Sequence, residues 1–437
     1  MRIAITTLGC KINQYDSAVI QERLAALQHS FVPFDEKADF YIINGCTVTD
    51  RADWEARQLI RRAKRTSPEA RVLVTGCYAQ VNPEEVSRLP GVDFVVGLNR
   101  LDDLLRFVTD PSRSEQPQIV VGNVREERGV SVSGASSLPS HTRAFLKIQE
   151  GCNYSCAYCI IPTARGRSRS IPVEEIIRQI RSLAERGFME VVLTGIHLGG
   201  YGHDLVPKSD LTALLELIVE GRFIPRLRLS SLDPREVPDR LLKLIAASDI
   251  LCPHLHVCAQ AGDDRILKQM RRNYDTAYYR DLIFRAREML PEAALGSDVI
   301  VGFPGESEEE FGRSMEFLDS LPLTYFHVFP YSVRSGTPAA TLPYQALHKT
   351  KKERAKIMRA LGERKKREFY GRFVGRRAPV LLERAVDGMN GLFKGYSRNY
   401  LPVVVRAEKS RINHEVTVAV EALEKGWLTG SVVEGRA

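Results

Sequence analysis

The feature that most constrains the fold of this chain is a regular alternation of strand-like and helix-like segments in two blocks. In the first block, up to residue 112, four apolar stretches rich in β-formers alternate with helical patterns. The second block, residues 141–368, holds six strand candidates separated by helical stretches. Such alternation predicts the α/β class: a parallel-sheet domain, then a (β/α)6 barrel, partial or closed, with its chemistry at the strands' carboxyl ends.

The strand candidates of the first block are RIAITTLG, ADFYIING, RVLVTG and DFVVG, with helices expected near 17–27, 53–64 and 84–89. Those of the second block are AFLKIQE, EVVLTGI, RLRLSS, HLHVCAQ, GSDVIVGF and TYFHVFPY. Between the blocks, residues 113–140 are rich in Ser, Gly and charge and are expected to form a linker with room for one hairpin. A basic helix over 348–377 leads into residues 369–437, whose short strands between turns predict a small β-barrel of a kind often used on nucleic acid.

The positive charge of the chain is concentrated at its carboxyl end. The whole chain has 62 Lys and Arg against 54 Asp and Glu, and from residue 341 onward the count is 21 against 10. This surplus indicates a polyanionic partner held at that end, with a solvated lysine-rich helix face as the alternative. No apolar run approaches the ~18 residues of a membrane span, and the amino terminus is typical of a strand rather than a secretory signal. We therefore expect a cytoplasmic protein with no membrane partner.

Three of the eight cysteines lie close together in one segment. Cys152, Cys156 and Cys159, called the central trio here, form a C-x3-C-x2-C motif directly after a predicted strand. In a reducing compartment such cysteines are metal ligands rather than disulfide partners. A closed zinc site needs a fourth ligand, and no second cysteine pair has zinc spacing. Three thiolates on an iron–sulfur cubane would leave one iron open to a substrate, with zinc or unrelated thiols as alternatives.

Three further cysteines occupy equivalent positions in the first block. Cys10, Cys46 and Cys77, called the N-terminal trio, each follow a glycine within two or three residues of the end of a predicted strand. Parallel strands bring their carboxyl ends to one edge of a sheet, so the three thiols are expected on one rim. The preceding glycines allow the backbone to turn closely around a bulky inorganic group. Three buried core thiols are the alternative.

The segment EGCNYSCAYCIIPTARGRSRS resembles the cluster loop of radical S-adenosylmethionine (SAM) enzymes, and its flanks resemble the methylthiotransferase branch of that superfamily. This resemblance extends from about residue 2 to residue 431. It implies a [4Fe–4S] cluster on the central trio whose open iron chelates SAM, which makes these three cysteines catalytic. It also implies a second [4Fe–4S] cluster on the N-terminal trio, where the sulfur is methylated and passed on.

The resemblance further assigns residues to SAM binding. Thr194 and Gly195 follow a strand where such enzymes offer backbone oxygens to the methionine amino group. Ser230 ends the third strand, near the expected ribose, and Gly302 belongs to the strand expected beside the adenine. Gln260 lies in HVCAQAG, a segment where the family usually has Pro-Leu-Gln-Ser-Gly.

Some positions depart from the family pattern. Cys258 and Ala261 are not typical of that segment, and Asn44-Gly45-Cys46 stands where the family usually has Thr before the cysteine. We expect Cys252 and Cys258 to pack as small buried thiols. The two histidines of HLHV are expected to be hydrogen-bonded strand residues rather than metal ligands.

The opening motif TLGCKINQYD is close to that of the subgroup acting on N6-threonylcarbamoyladenosine in tRNA, and Lys11 favours this subgroup. The resemblance therefore implies an enzyme that places a methylthio group at C2 of N6-threonylcarbamoyladenosine at position 37, beside the anticodon. It implies two [4Fe–4S] clusters and SAM as cofactors, with the tRNA anticodon stem–loop, an electron donor and a sulfur source as partners.

The C-terminal barrel is expected to be a TRAM domain that binds RNA. Its segment GLFKGYSRNYLPVVV interleaves cations with Phe393, Tyr396 and Tyr400, whose rings could stack on bases or pack in the core. Three alternatives for the whole chain stay open: the same reaction on isopentenyladenosine, methylthiolation of a ribosomal protein aspartate, and a non-catalytic iron–sulfur or zinc protein that binds RNA.

Overall fold

The structure, a computed structural model, describes residues 1–110, 116–130, 142–389 and 391–433. Its first part is a six-stranded sheet. The strands are β1 (Arg2–Thr7), β2 (Ser30–Phe31), β3 (Phe40–Gly45), β4 (Arg71–Thr75), β5 (Phe94–Val96) and β6 (Gln118–Val120). All neighbours pair in parallel, in the order β2-β1-β3-β4-β5-β6, as the alternating pattern predicts.

Helices cover both faces of this sheet. They are α1 (Lys11–Ala26), α2 (Asp50–Thr66), α3 (Gly76–Val81), α4 (Pro83–Ser87) and α5 (Leu101–Thr109). Helices α1 and α5 bury Leu24 and Phe107 against one face, while α2 and α4 bury Ile60 and Val86 against the other. Helix α3 was not predicted, because so short a helix shows no apolar periodicity of its own.

Strand β6 falls in the segment expected to be a linker. It pairs with β5 and so forms the edge of the leading sheet. The described residues 116–130 contain no hairpin. The rest of that segment, residues 113–115 and 131–140, lies outside the described residues.

The central part is a curved series of strands that pair in parallel, except for the short β8, which pairs antiparallel with β7. Its strands are β7 (Arg143–Glu150), β8 (Arg169–Ser170), β9 (Glu190–Gly195), β10 (Arg226–Leu229), β11 (Ser231–Leu232), β12 (His254–Val257), β13 (Ala294–Val301) and β14 (Tyr325–Pro330). They form two sheets, β10-β9-β7-β8 and β11-β12-β13-β14, and β11 continues the chain from β10. Strands β7 and β14 do not pair within the described part of the chain, so the barrel is partial. All six expected strands are present, which confirms the fold class.

Helices surround this partial barrel. They are α6 (Ile161–Arg165), α7 (Val173–Glu185), α8 (Leu211–Gly221), α9 (Asp239–Ala247), α10 (Asp264–Gln269), α11 (Thr276–Met289), α12 (Glu308–Ser320) and α13 (His348–Gly371). Because strand side chains alternate, Leu255 and Val257 of β12 pack in the core with the helices, and His254 and His256 face the barrel interior. In the described ranges, no helix is both long and apolar enough to cross a bilayer.

The carboxyl-terminal part is a closed five-stranded barrel with its own core. Its strands are β15 (Arg377–Ala385), β16 (Leu392–Ser397), β17 (Pro402–Arg406), β18 (Glu415–Glu424) and β19 (Trp427–Val432). They close in the order β15-β16-β17-β19-β18, as expected for a small β-barrel. Phe393 is buried in this core. Tyr396 and Tyr400 instead stack on each other and pack against Arg143 of the central barrel.

Candidate metal centres

The N-terminal trio meets at the carboxyl rim of the leading sheet. Cys10 is the N-cap of α1, Cys46 directly follows β3, and Cys77 lies in the first turn of α3. The thiols of Cys10 and Cys77 approach the same atom, Asn13 Oδ1, at 3.9 and 4.0 Å. A Cβ on Gly9, whose φ is +104°, would lie only 2.6 Å from Cys46 Cβ, so this close approach requires glycine. The structure thus brings the three predicted residues together.

The spacing of the sulfur atoms fits a cluster better than a single ion. A zinc ion with Zn–S bonds of about 2.3 Å would hold its sulfurs about 4 Å apart. Among the described residues, neither trio has all three sulfur atoms within 4.8 Å of one another. A cubane of irons and sulfides is larger than one ion and is held by more widely spaced thiolates. Both trios therefore have the ligand chemistry of a cluster site, with sulfurs spaced too widely for a single zinc ion.

Burial disfavours the thiolate forms of two cysteines of the N-terminal trio, Cys46 and Cys77. It raises the pKa of Cys46 to about 12 and also raises the pKa of Cys77, with smaller contributions from the neighbouring thiols. Arg165 opposes this shift at Cys77, because its Nε donates a hydrogen bond to the sulfur at 3.2 Å. Bound metal would favour the thiolate form for the same reason. A bound cationic group would therefore stabilise the thiolate forms of these buried cysteines.

Arg165, at the end of α6, links the segment that follows the central trio to the N-terminal trio. It belongs to the helix that follows the central trio, and its buried guanidinium reaches the N-terminal trio. It donates hydrogen bonds to Asn13 at 2.6 Å, Glu150 at 2.8 Å and Asp16 at 3.1 Å. Burial would raise the pKa of Glu150, but Arg165 and Lys147 lower it to about 2. This ionised network fixes the leading sheet against the barrel.

The central trio lies on the loop between β7 and α6. The amide of Cys159 donates to the carbonyl of Cys156 at 3.1 Å, which closes a turn within the trio. The amide of Tyr154 donates to Cys152 Sγ at 3.4 Å, and the guanidinium of Arg272 donates to Cys156 Sγ at 3.0 Å. Burial and the two neighbouring thiols raise the pKa of Cys159 to about 12. A bound cation would favour the thiolate form of Cys159.

His197 is a second cation at the central trio that sequence analysis did not single out. Burial would lower its pKa, but hydrogen bonds to Cys152 and Glu236 raise it to about 10. The imidazole is therefore protonated at neutral pH. The ring of Tyr154 lies 4.3 Å from that of His197, and its hydroxyl donates to Glu236 at 3.1 Å. Both groups hold His197 beside the cysteine.

Two of the residues predicted to bind SAM have surroundings that suit a ligand. Gln260 and Cys159 line one cavity, together with Asp298 and Ile300. Ser230 Oγ is buried and makes no hydrogen bond within the described part of the chain. A buried hydroxyl of this kind is available to a ligand.

The other predicted SAM residues have different surroundings. Thr194 and Gly195 end β9, and Gly195 packs against Gln149, whose side-chain oxygen accepts the amide of the nearby loop. Gly302, with φ of +71°, faces α13, where a Cβ would lie 2.4 Å from Lys351 Cγ. It does not line the cavity of Gln260. Its contact with SAM stays a prediction, as do those of Thr194 and Gly195.

Polar side chains that the sequence did not assign fill the barrel interior. Asp298 Oδ1 is 2.8 Å from His256 Nε2 and 3.2 Å from His327 Nδ1. The hydroxyl of Tyr325 bonds to His254 Nε2 at 2.7 Å and to His256 Nδ1 at 3.1 Å. The two β12 histidines are thus hydrogen-bonded strand residues.

The last two cysteines differ from each other. Cys252 is buried, with its sulfur 4.0 Å from Glu190. Cys258 is less buried, and its thiol donates to Asp298 Oδ2 at 3.3 Å. The expected packing as a buried thiol therefore describes Cys252, whereas Cys258 belongs to the polar network of the interior.

Lys11 also reaches toward this interior. Burial, followed by the charges of Arg143 and Arg228, lowers the pKa of Lys11 to about 8, while Asp298 and Glu190 act in the opposite direction. These four residues come from four different barrel strands, and Lys11 comes from the leading sheet domain. The lysine therefore enters the barrel interior from the side of the N-terminal trio.

Comparisons with known proteins agree with this geometry. A family model described as Uncharacterized protein family UPF0004 matches residues 2–97, and one described as Radical SAM superfamily matches residues 146–318. The chain is 38% identical over 420 residues to the threonylcarbamoyladenosine tRNA methylthiotransferase MtaB of Bacillus subtilis (strain 168), covering 96% of this chain and 93% of the relative. It is 41% identical over 382 residues to the same-named protein of Aquifex aeolicus (strain VF5), covering 87% and 93%.

A relative with a different printed name is also similar. The tRNA-2-methylthio-N(6)-dimethylallyladenosine synthase of Pelotomaculum thermopropionicum is 32% identical over 437 residues, covering 98% of this chain and 96% of that protein. Among solved structures, the fold matches the radical S-adenosylmethionine methyltransferase TsrM from Kitasatospora setae with a TM-score of 0.54 at 16% identity, covering 78% of this chain and 74% of that one.

The partial barrel is that of a radical SAM enzyme, a class that holds a [4Fe–4S] cluster and uses SAM. Within that class, the chain belongs to the tRNA methylthiotransferase family.

Proposed function

We propose that this chain methylthiolates C2 of N6-threonylcarbamoyladenosine at position 37 of tRNA. The observation that carries the proposal is that Arg165, in the helix that follows the central trio, bonds to Cys77 of the N-terminal trio and to Glu150, two residues before Cys152. A sulfur-carrying centre next to a radical-generating centre is what this reaction requires. The relatives from Bacillus subtilis and Aquifex aeolicus named above support the choice of nucleoside.

Radical chemistry is needed because an aromatic C–H bond has no useful acidity at neutral pH, so a side-chain base cannot remove the proton. When bound, a [4Fe–4S] cluster on the central trio with SAM would supply the 5′-deoxyadenosyl radical, and a second cluster on the N-terminal trio would supply the methylated sulfur. The protein's part is to hold these groups. Arg272 and His197 place positive charge beside Cys156 and Cys152.

SAM would lie in the cavity between the central trio and the strand ends. We assign its contacts to Gln260, which lines that cavity, and to the unpaired hydroxyl of Ser230. Thr194 and Gly195 of β9 and Gly302 after β13 complete the proposed set through their backbone groups. These assignments follow the family pattern described for the sequence.

The anticodon stem–loop would bind across α13 and the C-terminal barrel, which we propose to be a TRAM domain. Lys349, Lys352 and Lys356 lie on one face of α13, at helical spacing, and are exposed. Such a row of cations neutralises phosphates without reading sequence. The proposal also requires an electron donor and a sulfur source, and a cytoplasmic location follows from a tRNA substrate.

The proposal is tested by nucleoside mass spectrometry of tRNA from cells with and without the gene. We expect loss of 2-methylthio-N6-threonylcarbamoyladenosine with accumulation of its unthiolated precursor, and restoration by the wild-type gene. Loss of a 2-methylthio-isopentenyladenosine instead would support the alternative nucleoside. Unchanged nucleosides would favour a non-catalytic RNA-binding protein.

A further inference from the structure

Among the described charged side chains of the barrel interior, Lys11 is a cation that pairs directly with no carboxylate. Arg143 is paired with Glu383 at 2.5 Å, and Arg228 with Glu190 at 2.7 Å. Lys11 lies near both arginines, yet its ammonium makes no ion pair or hydrogen bond within the ranges the structure describes. A half-buried cation without an anion is unfavourable unless a ligand supplies the opposite charge.

The position of Lys11 in its helix also favours a negatively charged ligand. It is the first residue of α1, and the first turn of that helix contains no acidic residue. The amino end of a helix carries the positive end of the helix dipole, so a lysine there is unfavourable for the helix itself. The ammonium and the helix end together favour a bound anion.

The surrounding side chains suit a small polar group rather than an apolar one. Burial lowers the pKa of His254, and the positive charge of Lys11 acts in the same direction. The ring of His254 lies 4.8 Å from that of Tyr400 in the C-terminal barrel. The hydroxyl of Tyr325 lies 2.7 Å from His254 Nε2. These groups can donate and accept hydrogen bonds from amides and hydroxyls.

The proposed substrate carries a carboxylate that can pair with the ammonium of Lys11. The threonyl group of N6-threonylcarbamoyladenosine ends in a carboxylate and is attached at N6. In adenine, C2 and C6 flank the same ring nitrogen, so the N6 substituent and the reacting carbon lie on one edge of the base. Lys11 directly follows Cys10 of the trio assigned to sulfur transfer, so the lysine belongs to the same part of the site.

We propose that the ammonium of Lys11 binds the threonyl carboxylate of the substrate and selects this nucleoside over one whose N6 substituent is uncharged. This inference rests on the proposed function. Lys11 is a specificity residue, since an uncharged substituent would leave the ammonium unpaired and would pack poorly among polar groups.

The first test varies the RNA and leaves the protein unchanged. Three anticodon stem–loops are compared that differ only at position 37: N6-threonylcarbamoyladenosine, its threonine-amide analogue and unmodified adenosine. Binding to the reconstituted wild-type enzyme is measured by fluorescence anisotropy without SAM. A charge-assisted contact predicts that the carboxylate form binds about tenfold or more tightly than the amide. Equal affinity for the two would overturn the proposal, whether or not any variant folds.

The second test varies the protein. Lys11→Met keeps the length of the side chain and removes its charge, Lys11→Arg keeps the charge, and Lys37→Met at an exposed site of the same domain is the matched control. We expect Lys11→Met to lose the preference for the carboxylate over the amide, and Lys11→Arg to retain most of it. Lys37→Met should match wild type. Iron content and the thermal midpoint of each variant check that it is intact.

The outcomes separate this inference from the proposed function. A tenfold preference that Lys11→Met removes supports the inference. Equal weakening for all three RNAs would mean that Lys11 contacts the phosphate backbone, and it would overturn the inference, as would an unchanged preference. Failure of the wild-type enzyme to form the 2-methylthio product is scored separately by mass spectrometry, and it would reject the proposed function whatever the affinities are.

Discussion

The two cysteine trios of this chain are assembled in opposite ways. The central trio lies within residues 152–159 on one loop, so its three sulfurs are near one another by sequence alone. The N-terminal trio is collected from positions 10, 46 and 77, at the ends of three different strands. Its sulfurs meet only when β1, β3 and β4 are paired in register.

This difference predicts which structural changes would disrupt each site. A local loop pays little chain entropy to bring its ligands together, whereas a site gathered from three strands depends on the whole sheet. The N-terminal trio should therefore respond to changes in packing that leave the central trio intact. Substitutions at the junction between the two should affect both.

Replacing one cysteine in each trio should give the largest effects, of different kinds. Cys156→Ala should lower 5′-deoxyadenosine formation by about a thousandfold or more, because the site that cleaves SAM loses a ligand. Cys46→Ala should abolish the methylthio product and leave some cleavage of SAM. Both products are quantified by mass spectrometry, with Cys252→Ala as the control. Full product formation by Cys46→Ala would count against a role for the N-terminal trio.

Arg165→Met should weaken the junction between the two regions. It leaves Glu150 and Asp16 with Lys147 as their remaining buried partner, and removing one member of a buried ion-pair network typically costs about 3–5 kcal/mol. Denaturant unfolding of the metal-free protein measures the free energy. The exposed Arg51→Met variant should show no measurable change. An equally small effect at Arg165 would mean that the network does not join the two regions.

The same junction should make the protein sensitive to acid. Arg165 and Lys147 hold the pKa of Glu150 at about 2, below its ordinary value of 4.5. A carboxyl with a lowered pKa contributes stability that is fully present above pH 4.5 and is lost as the pH falls toward 2. In wild type the free energy of unfolding should fall over this window, and Glu150→Gln should flatten that part of the profile. Parallel profiles for the two proteins would assign the acid sensitivity to other carboxyls.

Gly9→Ala should damage the N-terminal trio selectively. The positive φ alone costs about 1–2 kcal/mol, and the new methyl group would also crowd Cys46. Reconstituted iron should fall toward half of the wild-type content, with SAM cleavage retained. Gly187 has a similar positive φ of +85° and nothing within 4 Å, so Gly187→Ala separates backbone strain from crowding. Equal iron loss in both variants would show that crowding at Cys46 is irrelevant.

The smallest effect concerns the reactivity of the thiols in metal-free protein. Cys10 is exposed, whereas Cys46 and Cys77 are buried and burial raises the pKa of both. Because the thiolate is the reactive form, Cys10 should be alkylated by iodoacetamide before the other two. Peptide mass spectrometry at short times gives the order. Simultaneous labelling of all three would indicate that the rim opens when the metal is absent.

Much of this architecture could be predicted because its signals are local. Apolar β-rich segments bounded by turn residues located the strands of both blocks. The position of Cys10, Cys46 and Cys77 after successive parallel strands was enough to place them on one rim. The charge surplus likewise marked the basic α13.

The features that escaped prediction depend on contacts distant in sequence. Strand β6 is recognisable only through its pairing with β5. Arg165 belongs to the quoted cluster-loop segment, but its bonds to Asn13 and Cys77 join residues 152 and 88 positions apart in the sequence. From the sequence, Lys11 served only to distinguish one subgroup of the family. Its closeness to Arg143 and Arg228 depends on how the leading domain packs against the barrel. No local pattern encodes such meetings.

The most direct test of the two-trio account is the iron and acid-labile sulfide content after anaerobic reconstitution. Three proteins are compared: wild type, the triple alanine variant of Cys10, Cys46 and Cys77, and the triple alanine variant of Cys152, Cys156 and Cys159. The account predicts about eight irons per chain for wild type and about four for each variant. Fewer than about six in wild type, zinc in place of iron, or the loss of all iron from either variant would contradict it.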